Sequence, residues 1–217
     1  MSMFIDKMIE AGGAMFPLAL CSIISIAVII ERFMHLRIKY VIDETMVKEA
    51  SQSVKKGDLE QARKLGQASP TLFGTILDKG IETHQIENSE LEQALVECAG
   101  RAMPKLERFL NVLALIGSIA PLLGLFGTVY GMVLSFDEIA RASVDKELMA
   151  RGISVALITT GTGLLIAIPA IIANNFFRAR VDKYYAVVEE AILKVMRAYH
   201  VGQLNDNRKQ GEPHGQD

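Results

Sequence analysis

The chain has 217 residues and is rich in apolar side chains, since half of its residues are hydrophobic and its mean hydropathy is +0.26. This apolar content is high for a soluble domain of this size and indicates a membrane protein. The net charge of -2 and the pI of about 6.1 create no basic field, which argues against a nucleic-acid partner. The two cysteines, Cys21 and Cys98, are too few and lie in environments too different for a disulfide framework.

Long uncharged runs predict three transmembrane helices, at 11–30, 109–136 and 152–177. The second and third runs are longer than the roughly 20 apolar residues that a bilayer core needs, so these helices tilt or project beyond the hydrocarbon. The leader before the first run contains Asp6 and Glu10 beside one lysine. It lacks the positive region of a cleaved signal peptide, so we expect the first span to be retained.

The remaining segments are polar. Residues 1–10 precede the first span, and residues 31–108 alternate charged and apolar side chains at helical spacing, which predicts a small helical region. A short loop, 137–151, joins spans two and three. An apolar stripe continues through 178–202 and predicts a helical extension of span three. The polar composition of 203–217 predicts a disordered tail.

Lysine and arginine near the span ends predict the orientation in the membrane. They cluster after span one, before span two and after span three: Arg32, Arg37, Lys39, Arg101, Lys105, Arg108, Arg178, Arg180 and Lys183. These three ends are expected in the cytoplasm, and the N-terminus and the loop 137–151 outside it. The predicted fold class is therefore an all-α membrane protein with three transmembrane helices and a helical cytoplasmic segment, in which spans two and three are long and extend into the cytoplasm.

Small residues follow one face of each of the two later spans. In span two they step by seven, four, three and four residues: Gly117, Gly124, Thr128, Gly131 and Ser135. In span three they step by three or four residues: Gly152, Ala156, Thr160, Gly163, Ala167, Ala170 and Asn174. Gly127 and Gly131 also fit the GxxxG pattern. One interpretation is helix packing alone, because helices in lipid associate through small residues that let their backbones approach. Pro121 and Pro169 predict a kink, or a carbonyl freed for use by a cavity.

The second interpretation of these faces is an ion pathway. Spans two and three contain no Asp, Glu, Lys, Arg or His, so this chain alone cannot relay a proton. A threonine hydroxyl can hydrogen-bond or offer oxygen to a cation, but it does not release a proton near neutral pH. If Thr128 and Thr160 line a polar path, the titrating group must come from another chain. Ser154, Thr159 and Thr162 are secondary candidates for the same path.

The stretches APLLGLFGTVYGM, from Ala120, and GISVALITTGTGLLIAIPA, from Gly152, together with Asn175, resemble the MotA/TolQ/ExbB family, and its ExbB and TolQ members in particular. The resemblance implies a homopentamer in the bacterial inner membrane that surrounds a dimer of a single-span ExbD-like or TolR-like partner. The transmembrane aspartate of that partner would carry the ion. It also implies that Thr128 and Thr160 face the pore, and that the proton gradient drives a TonB-like or TolA-like transducer.

Two positions depart from the family pattern. Val155 stands where ExbB and TolQ usually have glutamate, so the role of that acid cannot be carried over, and Asn174 replaces an aromatic residue. Sodium therefore stays open beside the proton, and a non-conducting scaffold that stabilises a partner complex stays open beside the motor subunit. The four histidines are isolated and no phosphate-binding loop occurs, so we expect neither an enzyme with catalytic residues nor a metal site or other cofactor.

Overall fold

A computed structural model describes residues 15–36, 38–87, 89–139 and 146–210, and every regular element among them is helical. The elements in chain order are α1 (Met15–His35), a 3-10 turn (Ile38–Tyr40), α2 (Glu44–Lys55), α3 (Leu59–Ala68), α4 (Leu72–Glu87), α5 (Leu91–Ala102), α6 (Pro104–Glu107), α7 (Leu110–Ile139) and α8 (Lys146–Gln210). The predicted N-terminal segment 1–10 and the end of the predicted tail, 211–217, lie outside the described residues. The all-α fold class is confirmed.

Three of these helices, α1, α7 and α8, are long and apolar enough to cross a membrane. With 30 residues α7 is about 45 Å long, and with 65 residues α8 is about 100 Å long, at 1.5 Å per residue. Both exceed the roughly 30 Å hydrocarbon thickness of a bilayer. The third span and its predicted extension are one continuous helix.

The boundaries of the spans differ from their predicted positions. Helix α1 continues past Glu31 and Arg32 to His35. These two charges pair at 2.9 Å, and the Arg32 guanidinium lies 4.8 Å from the centre of the Phe109 ring, so neither charge is left alone at the end of the span. The predicted loop 137–151 is helical at both ends, and only 140–145 lies outside the described residues. Glu147 in the first turn of α8 favours that helix start, and it pairs with Arg151 at 3.2 Å.

The predicted disordered tail is helical as far as Gln210. A helix that is already formed lengthens at little cost, because only nucleation is unfavourable. Gly202 also anchors this end: it is buried, and a Cβ placed on it would lie 2.5 Å from the carbonyl oxygen of Lys55. Composition alone therefore predicted the wrong start for the tail.

The described chain forms two compact units, and α8 contributes to both. The first comprises residues up to Met34 and from Phe109 to Arg178. The second comprises His35 to Arg108 and the chain from Ala179 onward. The candidate site lies in the first unit.

The second unit is a set of short helices around an apolar core. Its fully buried large side chains include Phe73, Ile76, Leu77, Ile81, Leu95, Val181 and Val188. Asp43 and Asp58 cap α2 and α3 by accepting hydrogen bonds from the backbone N–H groups of Thr45 and Gln61, each at 2.9 Å. Arg63 on α3 joins α4 by donating to Asp78 and Glu82, each at 3.1 Å. These contacts hold α2 to α5 as a packed helical layer.

Candidate functional site

Helices α7 and α8 pack so closely that their small residues touch backbone. A Cβ placed on Gly163 would lie 2.5 Å from the carbonyl oxygen of Ala120, and one on Gly131 would lie 2.5 Å from that of Gly152. At Gly124 it would lie 3.0 Å from the Cα of Thr160. Real Cβ atoms do not approach backbone this closely, so side chains larger than hydrogen would push the helices apart. We call this contact the α7–α8 seam.

Thr159 lies at the centre of the seam and is fully buried. A Cβ at Gly127 would clash with its side chain. The Thr159 hydroxyl donates to carbonyl oxygens of its own helix, with those of Val155 at 2.9 Å and Ala156 at 3.0 Å. Thr159 therefore lies inside the helix pair, where its hydroxyl is bonded to its own helix and buried.

The side chain of Thr160, the next residue on α8, has a different environment from that of Thr159. It is half-buried, and its hydroxyl donates across the seam to the carbonyl oxygen of Gly124 on α7, at 3.1 Å. Thr128 lies one turn further along α7, is also half-buried, and donates to the carbonyl oxygen of Leu125 at 2.6 Å. Thr128 and Thr160 thus lie about one helical turn apart along the helix pair, and part of each side chain is accessible.

The other predicted hydroxyls are placed separately. Thr162 is buried and donates to the carbonyl oxygen of Ile158 at 2.8 Å, whereas Ser154 is half-buried. Ser135, near the end of α7, is buried and donates to the carbonyl oxygens of Gly131 at 3.0 Å and Met149 at 3.2 Å. Thr162 and Ser135 therefore satisfy their hydroxyls within the helix pair.

The remaining candidate positions lie further along the seam. Gly117 faces Ile171, since a Cβ on it would lie 2.6 Å from the Ile171 Cγ1. Pro121 and Pro169 both lie inside helices that continue through them. Each proline lacks an N–H, so the carbonyls of Gly117 and Leu165 lose their usual helical donors.

The two positions that depart from the family pattern, and the neighbouring Asn175, differ in exposure. Val155 is half-buried, Asn174 is buried and Asn175 is exposed. The sequence singled out Val155 only by comparison with a family pattern, and Asn174 also by its place on the small-residue face of span three. It gave no reason for the change at Asn174.

Sequence reasoning did not identify the burial of Arg32. This residue is only 5% exposed, although it was assigned simply to the charged flank of span one. Phe109 could have served as a signal, because an aromatic residue at the start of the next span offers a ring face to a cation at the same membrane level.

The outer surfaces of α7 and α8 are apolar. Large side chains facing away from the seam include Leu122, Phe126, Val133, Leu157, Leu165 and Ile172, each more than half exposed. Across 110–136 and 152–177 the chain has no Asp, Glu, Lys, Arg or His, and the described residues contain no cluster of three metal-ligating side chains. The fold and the site together define a multi-pass, all-α membrane protein with a glycine-lined helix pair that carries accessible threonine hydroxyls.

Residues 68–190 match the MotA/TolQ/ExbB proton channel family. The chain belongs to this family, whose members are channel and transport subunits and not enzymes. Within the family, the chain is similar to ExbB and TolQ proteins.

Among the relatives, the biopolymer transport protein ExbB of Pseudomonas putida is 33% identical over 68% of this chain and 48% of its own length. The biopolymer transport protein exbB1 of Vibrio cholerae is 28% identical over 84% of this chain and 82% of its own length. The Tol-Pal system protein TolQ of Pseudomonas aeruginosa is 40% identical over 49% of this chain and 52% of its own length. The chain therefore spans about half the length of the two Pseudomonas relatives.

Proposed function

We propose that this protein is the ExbB/TolQ-like subunit of an ion-driven motor in the bacterial inner membrane. It forms a homopentamer around a dimer of a single-span, ExbD-like or TolR-like partner, and the complex uses the proton motive force to drive a TonB-like or TolA-like transducer. The N-terminus lies in the periplasm and the C-terminus in the cytoplasm. The work supports outer-membrane transport or envelope integrity.

One observation carries the proposal: the helix pair offers accessible hydroxyls at Thr128 and Thr160 but no ionisable side chain within the spans. A carboxylate at the centre of a bilayer costs about 2.5–3.5 kcal/mol on insertion scales, so it needs a polar neighbour. A threonine hydroxyl has one proton to donate, and in the structure Thr160 and Thr128 donate theirs to backbone carbonyl oxygens. Each hydroxyl can therefore accept a hydrogen bond from a protonated partner aspartate as it stands. It can donate to the carboxylate form only when it gives up its bond to the backbone.

In the proposed cycle, the partner aspartate takes up an ion on the periplasmic side and loses its charge. The neutral group moves past Thr128 and Thr160 and then releases the ion to the cytoplasm. A membrane potential of 100 mV supplies about 2.3 kcal/mol per charge, which bounds the work available from each ion.

The burial of Thr159 and Thr162 favours a proton over sodium. Sodium binding would need several oxygen ligands that face the path, and both of these hydroxyls are buried in the helix pair and bonded to their own helix. The proposed pathway therefore presents few oxygen atoms beyond Thr128 and Thr160. Transport driven by an imposed sodium gradient at constant pH would reverse this choice.

The first experiment is to purify the tagged protein gently from native membranes, identify what accompanies it and weigh the intact complex. We expect five copies with two copies of a one-span protein that has an aspartate in its span. A lone oligomer, or a partner without an intramembrane acid, would contradict the motor and leave a non-conducting scaffold as the better account.

The second experiment tests the hydroxyl of Thr160 in the purified complex reconstituted into vesicles. Thr160→Val keeps the shape of the side chain and removes the donor, so we expect normal assembly and about tenfold lower proton flux, since a hydrogen bond within a membrane contributes about 1–2 kcal/mol. Thr160→Ser should restore the flux. The matched control is Thr162→Val on the same helix, whose buried hydroxyl bonds only its own backbone and whose loss should leave flux unchanged. Equal flux in Thr160→Val and wild type would remove Thr160 from the pathway.

A further inference from the structure

A cavity of about 260 Å³ lies between the consecutive helices α4 and α5 of the second unit and reaches α6. Its walls have two regular stripes. One is on α4, at Thr75, Lys79 and Thr83, in steps of four residues. The other, on α5 and α6, has Cys98, Arg101 and Lys105, in steps of three and four. The first stripe is one face of α4, and the second continues from α5 into α6, so the cavity is built from helix surfaces and not from a loop.

The charged side chains that line this cavity are all positive. Three cations line it, and no carboxylate is among its lining residues. Lys79 pairs with Glu82 at 2.6 Å, and Arg101 pairs with Glu97. The Arg101–Glu97 pair lies on one exposed helix surface, so it contributes little and is readily exchanged for another anion. Glu82 is partly buried and also accepts from Arg63 of α3, so it keeps a cationic partner when Lys79 turns to another anion.

Lys105 differs from the other two cations, because it has no ion pair among the described residues. The hydrogen bond from Lys79 to Glu82 raises the pKa of Lys79 above its usual value, so this ammonium stays charged at neutral pH. Thr83 adds a hydroxyl to the same wall, whereas the Thr75 hydroxyl donates to the carbonyl oxygen of Thr71 at 3.3 Å. The cavity therefore presents three cations beside a neutral hydroxyl.

We propose that this cavity binds the phosphate group of a phosphomonoester or phosphodiester. Arginine and lysine are the usual side chains for phosphate recognition, arginine through its planar donor fork and lysine as a point charge. The volume is about nine times the roughly 30 Å³ that one water occupies, which leaves room for an organic substituent on the phosphate. A bare halide would leave most of the donors unused.

Two sources can supply such a group. A soluble phosphate ester could enter from the aqueous phase. An anionic lipid headgroup could also reach it, because Lys105 shortly precedes Leu110, where the apolar α7 begins. Both sources share the same phosphate chemistry, so one assay with two kinds of probe can separate them.

The test uses Cys98 as a reporter in the full-length Cys21→Ser protein, because Cys98 lies in the cavity wall and is half-buried. The rate of its alkylation by a neutral maleimide is measured in detergent with inorganic phosphate or glycerol 3-phosphate, against chloride at the same ionic strength. It is then measured in nanodiscs of phosphatidylglycerol, against nanodiscs of phosphatidylcholine. A probe at ten times its Kd should slow alkylation about tenfold, as simple mass action requires.

Three variants complete the test, and each is compared with itself with and without the probe, so changes in intrinsic thiol reactivity cancel. Lys105→Gln and Arg101→Gln should abolish most of the protection. Lys64→Gln is the matched control: it removes one exposed lysine from the neighbouring helix α3, outside the cavity, and should keep full protection. Far-UV circular dichroism checks that every variant is folded.

Protection by the soluble phosphates assigns the cavity to a soluble ester, and protection by phosphatidylglycerol alone assigns it to a lipid headgroup; both support the proposal. Three results would overturn it: no protection by any phosphate probe, protection that survives in Lys105→Gln and Arg101→Gln, or protection lost equally in Lys64→Gln. The last would mean that only the overall charge matters.

Discussion

Gly163 and Gly161 lie two residues apart on α8 and differ in the space that they leave for a larger side chain. A Cβ on Gly163 would lie 2.5 Å from the carbonyl oxygen of Ala120, whereas one on Gly161 would meet nothing within 4 Å. We therefore expect Gly163→Ala to lower the free energy of unfolding by about 1–3 kcal/mol, because overpacking a close contact forces the helices apart. Unfolding of the purified protein by denaturing detergent, followed by circular dichroism, measures the change.

Gly161→Ala is the matched control for that substitution. It adds the same methyl group to the same helix but in open space, and alanine is a better helix former than glycine by about 0.5–1 kcal/mol. We expect no loss of stability and a slight gain. If both substitutions destabilised the protein equally, the close backbone contact of Gly163 at the α7–α8 seam would be contradicted.

At the scale of single residues, the sequence predicted which positions are small but not which neighbour each one meets. A step of three or four residues places side chains on one helical face. It does not show which of two adjacent residues points directly at the neighbouring helix. Thr159 and Thr160 show the consequence: the first is fully buried against Gly127, and the second donates across to Gly124. Only the packed helix pair distinguishes a hydroxyl that is closed off from one that stays accessible.

At the scale of helices, Asp43 makes the start of α2 sensitive to pH. Its carboxylate accepts hydrogen bonds from the hydroxyl of Thr45 and from the Thr45 backbone N–H, and these lower the pKa of Asp43 below its usual value. A carboxyl group whose pKa is lower in the folded state adds stability above its unfolded pKa, near 3.9, and loses it as the pH falls through the folded pKa. The contribution of this cap should thus be complete at neutral pH and decline below about pH 4.

Asp43→Asn tests this dependence, because asparagine also caps helices but does not titrate. The melting temperature of wild type relative to Asp43→Asn should fall as the solution is acidified below about pH 4 and stay constant above about pH 5. Thr45→Val removes the hydroxyl donor and keeps the backbone donor, so it should reduce part of the same dependence. A difference that is constant across the whole range would show that the Asp43 carboxylate gains nothing from its cap.

Helices were predicted more reliably than their ends. The three spans followed from uncharged length, and the helical spacing of 31–108 predicted a helical region there. The ends depend on contacts that composition does not reveal, as with Gly202 against Lys55 and the Glu147–Arg151 pair. The cavity lined by Lys105 was missed for a related reason, because its walls come from separate helices. The stripe from Thr75 to Thr83 indicates a binding surface only when the helix faces opposite it, on α5 and α6, are known.

At the scale of the whole molecule, the distribution of lysine and arginine makes a prediction about orientation. The positive flanks follow span one, precede span two and follow span three, so the segment that contains Cys98 should be cytoplasmic. The start of α8 should be periplasmic, and Lys146 there is exposed. These two positions are on opposite sides of the membrane if the three spans all cross it.

A membrane-impermeant maleimide can test this orientation in intact spheroplasts, with Cys21→Ser as the background. Lys146→Cys, combined with Cys98→Ser, should react before the membrane is broken. Cys98 alone should react only after permeabilisation, and since it is half-buried its reaction in the permeabilised sample is the necessary control. If Cys98 were labelled in intact spheroplasts and Lys146→Cys were not, the orientation in the membrane would be the opposite of the predicted one. The partner aspartate would then have to take up its ion at the opposite end of the α7–α8 seam, and the proposed direction of proton movement past Thr128 and Thr160 would be reversed.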